Sequence, residues 1–475
     1  MILEYLFVLI GYSDLFQVND KYISMNNKQL SSDRPSLLGQ KIHQYFFIGA
    51  LVTIFTLGCM WGAINLLLIG LEESFHGIDY SWVLAHGHAM VFGFVGLFIM
   101  GFSYRALPHF KGTTLWNPWL ALSTLPLMIA GILLQTYAHV IAPQQPYLSL
   151  GIFAGILQIV AVVLFVVVIA RTLGGAPTGR KKDGFAFTAI AWFLIAAILN
   201  PVIFWLFESA PDQETFLFNV SSFNIPYRDI QTLGIAVMMI LGVSQHILPR
   251  AYDLRKPSER WRKFLLWGLN GAILFGVISF TAGMTTGVHW WHAANGISYI
   301  IILVAAIGTP IQFRLFRRTP AGYSDRSLKF IRAAYFWFIV AALLLMFGPY
   351  YMFGIYLPMT GGENPFSHAY FGAYRHALTV GFIMMMIVAI SSKVVPGFAG
   401  VDVRKTNSLW AVFILLNLGN TWRITSQILT DFYPEAFRFI GFSGFIELTA
   451  LSLWGYELIR NIKAGKKLQK LHSGM

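Results

Sequence analysis

The chain alternates between long apolar runs and short polar connections. Twelve runs are long enough to cross about 30 Å of hydrocarbon as helices, which takes about 20 residues each. The runs lie at about 44–70, 82–107, 116–140, 148–172, 185–208, 229–249, 264–287, 294–316, 330–353, 370–396, 407–430 and 437–460. The pattern predicts an all-α polytopic membrane protein with about twelve transmembrane helices.

One stretch of sequence recurs along the chain. Residues 88–112 align without gaps with residues 376–400, and nine of 25 positions are identical. A third copy, residues 234–249, matches residues 93–108 at six of 16 positions. Twelve helices divided among three copies give three pseudo-symmetric repeats of four helices. The predicted repeats cover about 43–172, 185–316 and 330–461.

Composition and charge support a membrane location. Hydrophobic residues make up 56% of the 475 residues, which is far more apolar surface than one water-soluble core would bury. Thirty of the 34 lysines and arginines fall on one side of the predicted spans. This asymmetry predicts that the polar segment 1–42 and the basic tail 462–475 flank the transmembrane domain 43–461 on its cytoplasmic side. It also accounts for the net charge of +13 without a nucleic-acid partner.

The single cysteine limits the cofactor chemistry. Cys59 lies in the first predicted span, so the chain cannot form an internal disulfide, a cysteine-ligated cluster or a CxxCH haem attachment. Any haem is therefore expected to bind noncovalently.

Histidines cluster at the outer ends of the predicted helices. Ionisable groups in a membrane segment cost several kcal/mol unless they are paired or coordinated, so each one is a functional candidate. The outer histidines are His76, His86, His88, His139, His289, His292, His368 and His376.

His88 and His376 occupy the same position in the first and third repeats. A neutral imidazole on each of two facing helices is what axial ligation of one haem iron requires. Gly93 and Gly381, five residues later, would let a flat macrocycle approach the backbone. Alternatively, the glycines only permit close helix packing, and the histidines hydrogen-bond across the interface. The repeated pair favours ligation.

His86 precedes His88 by two residues, so on a helix the two side chains point about 200° apart. They cannot readily share one metal. His86 could serve another centre or anchor the helix at the membrane interface.

Two further sets of histidines have spacings that suit metal binding. His289 and His292 would share one helical face, which suits one metal or a ligand with its hydrogen-bonded neighbour. Trp290 and Trp291 lie between them, and the motif could instead belong to an interfacial aromatic belt. His368 precedes His376 by slightly over two turns and could face the same way.

Charged residues also occur near the outer helix ends. Asp229 replaces the repeated histidine in the second repeat, and with Arg228 it is predicted to form a structural ion pair or, alternatively, a relay or ligand. Arg423 and Arg438 could each bind a haem propionate bidentately, although Arg438 could equally be an interfacial anchor.

At the cytoplasmic ends, the repeats align Arg105, His246 and Lys393, each three residues before a proline. We expect these basic groups to extend to the lipid headgroups and the prolines to end the helices.

The segments AHGHAMVFGF (85–94) and RHALTVGF (375–382) resemble the NnrS family of membrane haem and copper proteins associated with nitric oxide metabolism. Three four-helix arcs, with histidines on helices two, seven and ten, also resemble subunit I of the haem-copper oxidase and nitric oxide reductase superfamily. These resemblances imply an oxidase-like fold.

The resemblance also implies ligand sets. A low-spin haem would be shared by His376 and either His88 or His86, and a high-spin haem with copper would draw on His289, His292 and His368. The sequence lacks an outer histidine in helix six, an adjacent pair in helix seven and His-x-His in helix ten, so it does not reproduce the oxidase copper site. Glu447 is the only clearly intramembrane carboxylate in the predicted spans, and proton pumping is not expected.

The sequence therefore predicts a protein with at least one b-type haem in a prokaryotic cytoplasmic membrane, handling electrons or a diatomic gas such as NO or O2 near the periplasmic face. A second haem or copper, an oxidoreductase activity, a cytochrome or quinol donor and a partner subunit all stay open. The rival hypothesis is a cofactor-free transporter or an accessory or structural membrane subunit.

Overall fold

The computed structural model describes residues 36–473, apart from 142–146, 178–183, 319–325, 362–365 and 404–405, and only the backbone beyond residue 465. These residues form twelve long helices and no strand. The helices are α1 (Leu37–Leu71), α2 (Tyr80–Lys111), α3 (Pro118–Ile141), α4 (Tyr147–Gly174), α5 (Gly184–Glu208), α6 (Gln213–Ala251), α7 (Glu259–Thr286), α8 (His289–Phe313), α9 (Leu328–Thr360), α10 (His368–Ala399), α11 (Trp410–Leu429) and α12 (Ala436–Ser473).

The helices confirm the predicted multi-pass membrane protein. Eleven of them, among the described residues, are long and apolar enough to span a bilayer. The exception is the 20-residue α11, which carries Asn417, Asn420, Arg423 and Gln427. The last three of these side chains are buried, so α11 directs its polar groups into the protein rather than towards lipid. Most of the polar segment 1–42 lies outside the described residues.

The helices form a closed ring around α2, α6 and α10, which we call the inner helices. Successive helices of the ring pack against each other, and α12 packs along α1 to close it. Each inner helix changes from α-helix to π-helix over eight residues at the same place in its repeat. The π-helical segments are Ala89–Gly96, Ile230–Val237 and Ala377–Met384. Such wide turns are uncommon and are frequent at functional sites.

The repeated glycine of each inner helix receives a side chain from a neighbouring helix. A Cβ on Gly381 would lie 2.6 Å from Cβ of Trp337 in α9, and one on Gly234 would lie 2.8 Å from Cγ of Trp192 in α5. The space beside Gly93 is occupied in the same way by the side chain of Thr53 in α1. These glycines therefore allow close helix packing, and their space is not available to a macrocycle.

Replacing Gly381 with alanine tests this packing. The added methyl group meets the rigid base of the Trp337 side chain, so we expect a loss of about 1–3 kcal/mol of stability. Gly296→Ala in α8 is the control, because a Cβ there meets nothing within 4 Å. Cys59 is the only cysteine and is buried, so a thiol-reactive dye reports unfolding in detergent. Equal unfolding temperatures for the two variants would contradict the packing.

At the basic end of the bundle, the aligned cations lie on aromatic rings within the protein. The Arg105 guanidinium carbon is 4.8 Å from the ring centroid of Phe398, which lies in the last turn of α10. Lys393 Nζ lies 4.1 Å from the ring centroid of Tyr252 and donates a 2.9 Å hydrogen bond to the carbonyl of Ala251. These contacts hold the basic ends of the inner helices against each other.

The repeated prolines do not end the inner helices, so that prediction was wrong. The helices continue two or three residues beyond Pro108, Pro249 and Pro396. α2 and α10 then stop at Gly112 and Gly400, whose φ values of 67° and 72° are left-handed. The glycine rather than the proline marks the helix end.

Candidate functional site

Each inner helix carries a triplet of side chains immediately before its π-helical segment. The triplets are His86-Gly87-His88, Tyr227-Arg228-Asp229 and Tyr374-Arg375-His376. The first and third residues of a triplet are two positions apart and point to opposite sides of the helix. The third residue of one triplet therefore shares a compartment with the first residue of the triplet on an adjacent inner helix. The compartments are numbered in chain order.

His86 lies in the third compartment, which is enclosed by α10, α11, α12, α1 and α2. Its Nδ1 is 3.0 Å from the carbonyl oxygen of Gly58 in α1. A Cβ on Gly62, one turn further along α1, would lie 2.5 Å from Cε1 of the imidazole. Gly62 therefore lets the ring stand against the α1 backbone, and the Gly58 carbonyl fixes the orientation of the ring.

His376 enters the same compartment from α10. Its Nδ1 is 4.0 Å from Oε1 of Glu447 in α12. Arg423 and the His86 imidazole lie in electrostatic range of it, so the two imidazoles are near each other. The His376 side chain keeps 23% of its surface accessible although helices surround it. Open space therefore adjoins this imidazole.

Polar atoms without hydrogen-bond partners are concentrated around His376. Both side-chain polar atoms of Asn420, Nε and Nη1 of Arg423, and Oε1 of Glu447 are buried and unpartnered, as is Nδ1 of His376 itself. Buried polar groups in folded proteins are almost always hydrogen-bonded, so each exception needs a physical account. This arrangement suits a bound group that contains both a metal ion, which a histidine nitrogen can bind, and anionic oxygens, which the arginine can bind.

His88 points into the first compartment, which is enclosed by α2, α3, α4, α5 and α6. Its ring stacks on Phe92 with the centroids 5.0 Å apart, and Nε2 is buried without a partner. Its side-chain neighbours include Gln158 in α4 and His139 in α3. The structure therefore brings His376 together with His86 and does not bring it together with His88.

An amide network fills the middle of the first compartment. Gln135 in α3 donates a 3.0 Å hydrogen bond to Asn200 in α5, and Gln158 donates a 2.8 Å bond to Gln135. Asn200 donates back to Gln135 at 2.7 Å and accepts a 3.3 Å bond from Tyr227 of α6. Four helices are thus linked by neutral side chains deep in the bundle.

An acid and a histidine lie above this network. Glu208, at the end of α5, accepts a 2.6 Å hydrogen bond from Nδ1 of His139, and Ser81 of α2 donates to it at 3.4 Å. All three residues are buried. Glu208 is therefore a carboxylate inside the bundle, in addition to Glu447 and Asp229, although it is the last residue of the predicted span 185–208.

Asp229 faces the second compartment, which is enclosed by α6 to α10. The charged group that acts on it is Arg375 rather than its sequence neighbour Arg228, so the predicted Arg228 pair is not formed. It also lies in electrostatic range of Tyr299 and Tyr374. This compartment contains a carboxylate and tyrosines where the third compartment contains imidazoles.

The remaining predicted metal ligands do not form one cluster. His368 lies beside Tyr80, with ring centroids 6.2 Å apart, and Arg375 and His76 act on it electrostatically. His289 and His292 are both exposed at the start of α8. Among the described residues, no group of three histidine, cysteine, aspartate or glutamate side chains could hold one metal ion.

The residues around His289 form an aromatic surface patch. Trp290 and Trp291 stack with ring centroids 3.8 Å apart, and Trp290 is mostly exposed. The His292 ring packs over Gly283 of α7. These contacts are those of an interfacial aromatic belt.

The two arginines considered for propionates differ in setting. Arg423 is buried in α11 beside Glu447, with two unpartnered guanidinium nitrogens. Arg438 is exposed at the start of α12 and forms an ion pair with Glu73. Only Arg423 faces the third compartment.

A half-buried carboxyl group joins the connections beside this compartment. Asp431, between α11 and α12, accepts hydrogen bonds of 2.7 Å from the Tyr351 hydroxyl and 2.6 Å from the Ser367 hydroxyl. Burial raises the pKa of the Asp431 carboxyl above its ordinary value, and these two donors oppose that rise. Asp431 thereby ties α9 and the start of α10 to the α11–α12 turn.

A family model described as NnrS protein matches residues 40–461. The chain belongs to the NnrS family. The match covers all twelve helices apart from the first residues of α1 and the last residues of α12, so the compartments and their histidines lie within the NnrS region. No curated protein matches the chain.

Sequence reasoning missed most of the polar interior of this NnrS chain. Gln135, Gln158 and Asn200 are single uncharged residues in apolar runs, and Asn200 also precedes a proline. Their position along the spans could have identified them, because a polar side chain near the middle of a span is costly unless it has a partner.

Proposed function

We propose that this NnrS-family protein is an integral membrane haem protein whose third compartment binds a noncovalent b-type haem through His86 and His376. The observation that carries the proposal is that imidazoles from α2 and α10 share one compartment, each with an oxygen acceptor beside its Nδ1. This pairing supports His86, rather than His88, as the partner of His376.

The oxygen acceptors select the form of each imidazole that binds a metal. A neutral histidine that donates Nδ1–H presents Nε2 as a lone-pair donor, and metal-ligating histidines usually have such a hydrogen-bond partner. The carbonyl of Gly58 serves His86 in this way at 3.0 Å. Glu447, at 4.0 Å, would serve His376 after a small side-chain movement.

The unpartnered polar atoms also fit haem. Arg423 has two free guanidinium nitrogens, which suit a propionate carboxylate, and Asn420 offers a further amide donor beside it. We propose Arg423 for this role and leave Arg438 as an interfacial anchor, since it is already paired with Glu73.

The chemistry follows from the ligand set. Held by both histidines, a haem would supply single-electron transfer. His86 and His376 would hold the iron, and Glu447 would tune the basicity of His376. We therefore propose electron transfer, linked through the NnrS family to nitric oxide metabolism, with a cytochrome or quinol as the donor.

A second centre is not supported by the described residues. His289 and His292 are exposed at α8, away from His368, so these three residues do not form the copper site that the oxidase resemblance implied. His88 is the other inner imidazole, and its neighbours are Phe92, Gln158 and His139.

We also propose the finer architecture and topology. The π-helical segments and the glycine contacts recur at equivalent places on α2, α6 and α10. This recurrence supports three four-helix repeats and an oxidase-like arrangement around the inner helices. The basic residues at one end support cytoplasmic termini, and hence an outer position for the histidines.

The absorption spectrum of the purified protein tests the proposed function. Protein from haem-replete cells is expected to show a Soret band, sharp bands on reduction and a pyridine haemochrome of b type. Elemental analysis is expected to give iron, and copper content would be read from the same sample. A colourless protein would contradict the proposal and favour a cofactor-free transporter or structural subunit.

A further inference from the structure

Two partly buried arginines lie between the inner helices. Arg228 and Arg375 are the middle residues of their triplets, and they are electrostatic neighbours. The corresponding residue in α2 is Gly87, where a Cβ would lie 2.7 Å from Nη2 of Arg228. The glycine therefore leaves room for a guanidinium on the axis.

Arg228 is held by neutral groups. Its Nη1 donates a 2.8 Å hydrogen bond to Oε1 of Gln231, and its Nη2 donates a weaker 3.4 Å bond to the carbonyl of Leu84. The ionisable groups that act on it are Tyr227, Tyr80 and Arg375, and none of these is a carboxylate.

Unused hydrogen-bond donors surround the same point. Nε and Nη2 of Arg375 are buried and have no partner, and the same is true of Nε2 of Gln231, whose side chain has no exposed surface. All three atoms can donate a hydrogen bond and none can accept one. A group that binds these three donors would therefore have to be a hydrogen-bond acceptor.

The charge is also unbalanced. Asp229 is the carboxylate that acts on Arg375, so two guanidinium groups face one carboxylate in the interior of the bundle. An uncompensated buried charge costs several kcal/mol, and an anion at this point would remove the cost. His368 and His86 lie in range of these arginines and add no negative charge.

We propose that Arg228 and Arg375 form a binding site for anionic oxygen on the axis of the inner helices. The ligand is a planar carboxylate or a small oxyanion of similar shape, held by the guanidinium forks and by Gln231. Two sources supply this chemistry. One is a haem propionate, which rests on the proposed function, because His86 lies in electrostatic range of Arg228. The other is a free oxyanion, which does not rest on it.

The experiment uses the full-length protein in detergent, with nitrite as the probe and calorimetry as the readout. A free-anion site is expected to bind about one nitrite per protein without moving any Soret band, and Arg375→Gln is expected to weaken binding at least tenfold. Arg438→Gln is the control, because that arginine is exposed and paired with Glu73. If Arg375→Gln does not fold, Arg375→Lys keeps the charge but removes the fork and takes its place.

A propionate source gives a different result. Nitrite would not bind, while Arg375→Gln or Arg228→Gln would change the haem midpoint potential and Arg438→Gln would not. Absence of nitrite binding together with an unchanged potential in both variants overturns the site. If the protein contains no haem, the proposed function fails by its spectrum, and the nitrite titration alone then decides the anion site.

Discussion

Replacing His376 with alanine is expected to lower the haem affinity of the purified protein by about tenfold or more, since loss of a mere supporting group around a metal ligand already costs 10–100-fold. His86→Ala is expected to have the same effect, because the two imidazoles share the third compartment. The measurement is the ratio of haem absorbance to protein in each variant, followed by the spin state of any haem that stays bound.

His88→Ala is the matched control for this experiment. It removes an imidazole at the position equivalent to His376, from the same helix as His86, but in the first compartment beside Gln158. We expect it to retain haem with an unchanged low-spin spectrum. Loss of haem in His88→Ala with retention in His86→Ala would identify His88, not His86, as the partner of His376. Equal loss of haem in all three variants would contradict the pairing of His86 with His376.

Replacing Glu208 with leucine is expected to lower the stability of the protein by about 3 kcal/mol. The carboxylate is buried, accepts a 2.6 Å hydrogen bond from His139 and receives a second from Ser81. Removing one member of a buried pair leaves its partner desolvated without compensation, which typically costs 3–5 kcal/mol. The thermal unfolding temperature, read by labelling of Cys59, gives the effect.

Two further variants distinguish loss of the Glu208–His139 pair from a general loss of stability. Glu259→Ala removes an exposed carboxylate that is paired with Arg262 at 2.9 Å, and exposed pairs contribute about 0–1 kcal/mol. Glu208→Gln keeps an oxygen that can accept from His139 and is expected to recover part of the stability. If Glu208→Leu unfolds at the same temperature as Glu259→Ala, the buried pair does not stabilise the bundle.

The helices and their order were predictable from the sequence because apolar length decides which segments can cross a bilayer. All twelve predicted spans correspond to helices, and the least apolar of them, α11, is the one whose polar residues turn inward. The helix ends at the prolines were not predicted correctly. A proline near a C-terminus removes one hydrogen bond, and the turn that follows it still forms.

The pairing of ligands was not predictable from repeat alignment, for a geometric reason. His88 and His376 occupy positions that align in the sequence, on α2 and α10, but they point into different compartments. The side chain that faces His376 belongs to the opposite side of α2, two residues earlier, and this residue is His86. Alignment identifies the register of such residues, whereas rotation about the axis decides which ones meet.

The buried amide network was not predictable from the sequence either, for a different reason. Gln135, Gln158 and Asn200 come from three helices, and each alone resembles an isolated polar residue in an apolar run. Their significance depends on distances between helices, which local periodicity does not contain. The carboxylate of Glu208 was overlooked similarly, because its partner His139 is 69 residues away in the sequence.

The wide turns of the inner helices have a further consequence for how this protein tolerates change. In α2, the π-helical segment Ala89–Gly96 separates the His86–His88 triplet from Arg105 at the basic end of the helix. A π-helical turn holds about one residue more than an α-helical turn, so deleting a single residue there can convert the wide turn into an α-helical turn without rotating the two halves of α2 against each other. The segment therefore absorbs a one-residue deletion, and both histidines would stay in their present compartments.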